Sequence, residues 1–151
     1  METRFLADSM LGRLAKWLRV MGYDTHYQTS YNQAVMDRLL REGRRLVTRD
    51  QKAKARYPDA FFIEFNHVDE QLNQLKNKGF LRNDTDKWFT RCLVCNTVLI
   101  HADPGKARER VPEYVYYHQA KEIKFCPSCL RYFWPGTHRE RMKRQLNAWG
   151  F

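Results

Sequence analysis

The chain has 151 residues, 43% of them hydrophobic and 29% charged, with 27 Lys and Arg against 17 Asp and Glu for a formal net charge of +10. Such a length fits one ordinary domain or a small domain with a smaller satellite, and five prolines with seven glycines argue against disorder. No apolar run approaches the roughly 18–20 residues a membrane span needs, and the first residues lack the pattern of a secretion signal, so a cytoplasmic location is expected.

Arg4-Phe5-Leu6-Ala7 reads as a short strand, and Ser9 after it suits a helix N-cap. Leu11, Leu14, Leu18 and Met21 recur at helical spacing until Gly22 supplies the stop. Tyr23 to Tyr27 forms a second strand, and Gln33 to Glu42 a helix with Val35, Met36, Leu39 and Leu40 inward. Leu46-Val47-Thr48 is a third strand, and a helix can run from Gln51 to Arg56. Ala60 to Phe65 is apolar enough for a central fourth strand, and Asp69 to Lys78 is a helix closed by Gly79. The alternation predicts a doubly wound, mostly parallel α/β sheet over residues 1–84.

The pattern changes near Asp84-Thr85-Asp86. From Trp88 to Trp134 the segments are short, aromatic and separated by turns, which predicts a small antiparallel ribbon. His138 to Trp149 then places Met142, Leu146 and Trp149 on one face of a terminal helix, so a second domain is expected over 85–151.

All four cysteines lie in two Cys-x-x-Cys pairs, Cys92 with Cys95 and Cys126 with Cys129, separated by 30 residues. Two such knuckles put four thiolates at tetrahedral corners, which suits Zn²⁺ and leaves no coordination position for water. A structural zinc is therefore expected, against the alternatives of two disulfides or a rubredoxin-like iron. His118 and His138 lie within or beside the ribbon, but four thiolates need neither.

In an open α/β sheet the carboxy ends of the strands share the edge where ligands bind. Asp8 ends the first strand and Asp50 follows the third, so both reach that edge. If those strands are neighbours, about 4.8 Å apart, the two carboxylates can share Mg²⁺ or Mn²⁺. The competing reading is that both acids cap the following helices. Asp24 opens the second strand and Asp59 precedes the fourth, so both belong to the opposite edge, while Asp37, inside the second helix, can lean over the site or face solvent.

The basic excess attracts polyanions, and RNA is a common one. Arg13, Lys16, Arg49 and Lys52 follow the two strand ends that carry the acids and can hold phosphates there. Arg131, Arg139 and Arg141 accompany Trp134 and His138 in the second half, a mixture of cations and rings that suits single-stranded nucleic acid. A small ribbon also needs aromatic residues for its own core.

Phe5 to Arg19, Gly22-Tyr23-Asp24, Leu46-Val47-Thr48-Arg49-Asp50, Arg91 to Asn96, Cys126 to Cys129 and Trp134-Pro135-Gly136-Thr137-His138 occur in this order. Together they resemble the Mut-seven C-terminal RNase domain family over nearly the whole chain. The resemblance implies a PIN-like nuclease fold with a zinc ribbon behind it. It also implies metal-dependent hydrolysis of RNA, with Asp8 and Asp50 matching the strand-end acids. PIN-like sites assemble three or four acids, one of them from an intermediate helix. Here that helix opens Tyr31-Asn32-Gln33-Ala34, and Asp37 is the nearest candidate. Two functions are carried forward: a Mg²⁺- or Mn²⁺-dependent endoribonuclease, and a non-catalytic RNA-binding module associated with ribosomes or tRNA.

Overall fold

The computed structural model describes residues 2–151, which form two compact units, the first ending at Asn96 and the second running from Thr97 to Phe151. The first unit contains β1 (Phe5–Ala7), α1 (Gly12–Val20), β2 (Thr25–Tyr27), α2 (Gln33–Arg41), β3 (Arg45–Thr48), α3 (Gln51–Arg56), β4 (Phe61–Phe62) and α4 (Val68–Asn77). Its four strands are parallel and ordered β2-β1-β3-β4. The α/β alternation expected from the sequence is present.

Side-chain alternation along the strands divides the core. Leu6 and Leu46 are paired in register and pack with Leu39 and Ala60, joined by Val35, Met36 and Leu40 from α2. Phe5, Ala7 and Val47 alternate to the other face. Helices α1 and α4 touch one another and contribute the fully buried Leu14, Leu18, Leu72 and Leu75. Each such side chain stabilises the fold by about 1.5–3 kcal/mol through burial. Gly22 ends α1 at φ +92°, where a Cβ would come within 2.3 Å of the Lys87 carbonyl oxygen. No other residue fits that turn without displacing the chain.

Two expectations need correction. Ser9 does not cap α1: Leu11 is the N-cap residue and makes no side-chain cap bond. The chain first makes a tight turn, closed by the Leu11 N–H donating to the Asp8 carbonyl at 2.9 Å. Nor is the fourth strand central. It shrinks to Phe61–Phe62 at the sheet edge, where Phe61 packs edge-to-face on Phe80 with ring centroids 5.2 Å apart. The strand's apolarity serves that side packing rather than burial between two neighbours.

The strand order makes β1 and β3 the central pair. From β1 the chain moves outward to β2, then crosses back to β3 and continues away on the other side. A crevice outside the carboxy ends of β1 and β3 is the topological switch point at which such sheets bind ligands.

The second unit holds β5 (Ile100–His101), α5 (Pro104–Ala107), α6 (Glu113–His118), β6 (Lys124–Phe125), β7 (Tyr132–Phe133) and α7 (Thr137–Ala148). The strands form an antiparallel sheet in the order β5-β6-β7. Helices α5 and α6 were not expected. Asp103 caps α5 by accepting from the Gly105 N–H at 2.9 Å, and the two helices contribute Ala107 and Val115 to a small core with Ile123. Tyr132 and Trp134 pack against that core, and α7 buries Met142 and Leu146 on the expected face. Among the described residues, no helix is long and apolar enough to cross a membrane.

Candidate active site and cysteine centre

Asp8 and Asp50 line one cleft of about 350 Å³ at the carboxy ends of β1 and β3. The strand adjacency that a shared ion requires is met, since Ala7 pairs with Val47 and the Asp8 N–H donates to the Val47 carbonyl at 3.0 Å. Thr48 connects the two acids. Its buried hydroxyl donates to Asp8 Oδ2 at 2.5 Å and accepts from the Asp50 N–H at 3.0 Å. Asp8 Oδ1 accepts from the Ser9 N–H at 2.7 Å. Asp50 Oδ1 caps α3 through the Lys52 N–H at 2.9 Å, so the capping role holds for one oxygen of Asp50 and not for Asp8.

Asp37 stands differently. It is half-buried on α2, and its Oδ1 accepts from the Tyr57 hydroxyl at 2.8 Å; Tyr57 lines the cleft. Burial raises the pKa of Tyr57, and Asp37 raises it further, so the phenol keeps its proton and the bond is maintained. Among the described residues, Asp8, Asp37 and Asp50 do not form a group whose three ligand oxygens lie within 4.8 Å of one another.

Of the four cations placed near the acids by sequence, Lys52 lines the cleft. Arg13 and Lys16 are exposed on α1, and Arg49 is half-exposed between β3 and α3. Arg56 also lines the cleft and was not anticipated. It lies four residues after Lys52 in α3, a spacing that puts both on one helix face. Tyr31 forms another part of the wall; burial pushes its phenol up to about 12, and the hydroxyl accepts from the Gln28 N–H at 2.8 Å.

At the opposite edge Asp24 is structural. It accepts from Arg44 at 2.8 Å and from the Asn96 amide at 2.7 Å. Burial raises its pKa, but those bonds and the charges of Arg44 and Arg91 outweigh burial and hold it below the ordinary 3.8.

The Sγ atoms of Cys92, Cys95, Cys126 and Cys129 all lie within 4.8 Å of one another. Zinc–sulfur bonds of about 2.3 Å in a tetrahedron put sulfurs about 3.8 Å apart, so the four thiols fit an ion such as zinc. Cys92 and Cys126 are buried, and the second cysteine of each pair is more open. Neither His118 nor His138 belongs to the group; both are exposed.

A model of the Mut7-C RNAse domain matches residues 3–146. The chain belongs to the Mut7-C RNAse domain family. No curated protein matches it. Membership gives this Mut7-C domain an RNase-related role, with RNA as the substrate class. Of the RNA-contact candidates in its second unit, Arg131, His138 and Arg141 are exposed, while Arg139 is half-buried and Trp134 packs on the Ala107–Val115–Ile123 core.

Proposed function

We propose that this Mut7-C domain is a divalent-metal-dependent ribonuclease that hydrolyses phosphodiesters, with a structural zinc in the four-cysteine centre. The observation that carries the reading is the pair of acids at the carboxy ends of adjacent central strands, joined through one threonine and facing one cleft. Oxygen ligands of this kind suit Mg²⁺ or Mn²⁺. When bound, the ion would lower the pKa of a coordinated water and polarise the phosphodiester. Asp8 and Asp50 would hold it. Thr48 fixes the Asp8 carboxylate by donating to Oδ2, and Asp50 keeps its second oxygen clear of the helix cap. Asp37 is the third candidate acid; it lies outside the cleft lining, with Oδ1 held by Tyr57, which is part of that lining. Lys52 and Arg56 would receive phosphates in the cleft, with Arg13, Lys16 and Arg49 on the flanking surface. Arg131, Trp134, His138, Arg139 and Arg141 are the contacts proposed for the second unit.

That Asp37 lies outside the cleft lining, and does not group with Asp8 and Asp50, favours a second reading, an RNA-binding module without cleavage. Single-turnover cleavage of a labelled single-stranded RNA with Mg²⁺ or Mn²⁺, beside binding of the same RNA, separates the two. Asp8→Asn should reduce the cleavage rate by at least about 100-fold, as expected for loss of a metal-site group. Its RNA affinity should stay equal or tighten, because the change acts on the chemical step. Equal cleavage by wild type and the variant would sink the metal-site reading, and wild-type binding without cleavage would establish the module.

A further inference from the structure

The second unit carries another cleft, of about 530 Å³, lined by Lys106, Arg108, Arg110, Phe125, Leu130 and Tyr132 among others. We propose that it binds a nucleotide segment of single-stranded RNA, with a base against Phe125, Tyr132 and Leu130 and phosphates on Lys106, Arg108 and Arg110. The proposal rests on RNA being a ligand of the chain, and it does not require cleavage.

Three cations face one acid, Glu109, around this cleft. They belong to a unit with ten Lys and Arg against five Asp and Glu between Thr97 and Phe151. Arg108 is already held in place: it donates to the Tyr117 hydroxyl at 3.3 Å, and its guanidinium lies 5.3 Å from the Tyr116 ring centroid. A planar, permanently charged group held in this way loses little freedom on meeting a phosphate. Lys106 and Arg110 are exposed and make no ion pair among the described residues.

The apolar wall is equally specific. Phe125 and Tyr132 stand with ring centroids 4.9 Å apart and planes 48° from parallel, and both are partly exposed. Leu130 is 66% exposed and lines the same cleft beside them. An exposed leucine beside two partly exposed rings is an apolar surface open to a ligand. Cations alone would serve any polyanion, including an acidic peptide. Cations beside ring faces are the combination that neutralises and stacks single-stranded nucleic acid.

The test uses the full chain with its zinc, no added Mg²⁺ or Mn²⁺, and fluorescently labelled single-stranded RNA titrated over a range of salt. Replacing Lys106 and Arg110 together by Ala should make the slope of log affinity against log salt shallower by about 1.4, at roughly 0.7 per phosphate contact. Tyr132→Phe should keep the affinity, and Tyr132→Leu should weaken it roughly tenfold. Photo-crosslinking of thiouridine-containing RNA to the wild type gives a readout independent of variant folding, and the labelled peptides should include residues 105–132 beside those of the acidic cleft. An unchanged slope in the double variant, or cross-links that spare residues 105–132, overturns the cleft and leaves RNA as the ligand. A wild type that binds an acidic peptide but no RNA overturns the cleft and the ribonuclease reading together.

Discussion

The two cysteine knuckles close on the same backbone turn but are held by different means. In each, the residue after the second cysteine takes a positive φ, Asn96 at +75° and Leu130 at +63°, and returns its N–H to the first cysteine's carbonyl at 2.9 Å. The first knuckle is gripped by side chains of the α/β unit. Buried Arg19 donates to the Leu93 and Val94 carbonyls at 3.1 Å and to Thr25 at 2.9 Å. Arg91 donates to the Gly22 and Asn96 carbonyls, and Asn96 binds Thr25 and Asp24. The second knuckle rests on its own hairpin, where the Cys126 N–H meets the Arg131 carbonyl and the Cys129 N–H meets Cys126 Sγ at 3.4 Å. A knuckle braced by a formed core can keep its shape without metal, whereas one on two-residue strands would depend on a bound ion.

The largest effect should come from breaking the metal centre. Cys126→Ser, or stripping the metal with a chelator, should collapse the dispersed amide signals of residues 124–133 in a nitrogen–proton spectrum. Signals of Arg91 to Asn96 and of the parallel sheet should persist. Melting of both knuckles together would abolish the distinction between them.

A smaller loss should follow Arg19→Met, about 3 kcal/mol in denaturant unfolding of the α/β unit. Three carbonyls lose a charged donor in a buried place. Arg19→Lys should restore only part, because one ammonium cannot reproduce the guanidinium's divergent donors. A loss below about 1 kcal/mol would mean that the first knuckle, too, relies mainly on metal.

The smallest effect is one of pH. Burial, helped by Arg44, Arg19 and Arg38, holds His26 below its ordinary 6.5, and its Nδ1 lies 3.1 Å from the Tyr31 hydroxyl. Below pH 6.5 the unfolded chain takes up this proton more readily than the folded one. His26 therefore contributes stability above that value, and the contribution is lost as pH falls through its lowered folded pKa. On acidification the thermal midpoint should fall less in His26→Gln than in wild type. Identical slopes would assign the acid loss to other groups.

What could be read in the sequence was whatever is local. The knuckles are short motifs of a distinctive residue, and Leu11, Leu14 and Leu18 report one buried helix face by spacing alone. Arg19 escaped notice because a helical arginine ordinarily reaches solvent, and two of its three carbonyl partners lie 74 and 75 residues away. Phe61 misled for the opposite reason: its apolarity answers to Phe80 at the sheet edge, which strand composition does not encode. Helices α5 and α6 are four and six residues long, too short for periodicity to register. At the acidic cleft, the strand-end positions of Asp8 and Asp50 were legible. The Thr48 link required knowing that β1 and β3 are neighbours, and the Tyr57 partner of Asp37 belongs to another element of the fold.

The central claim is that Asp8 and Asp50 share one divalent ion, and paramagnetic Mn²⁺ tests it without any RNA or turnover. Titrated into nitrogen-15-labelled protein with its zinc in place, Mn²⁺ should broaden the amide signals of Asp8, Ser9, Thr48, Asp50 and Lys52 first. Asp8→Asn should shift the titration to higher Mn²⁺ concentrations by at least about tenfold. Asp59, exposed and outside the cleft lining, should broaden only at higher Mn²⁺. Broadening that begins elsewhere, or that is the same in wild type and Asp8→Asn, would contradict a metal site at the ends of β1 and β3.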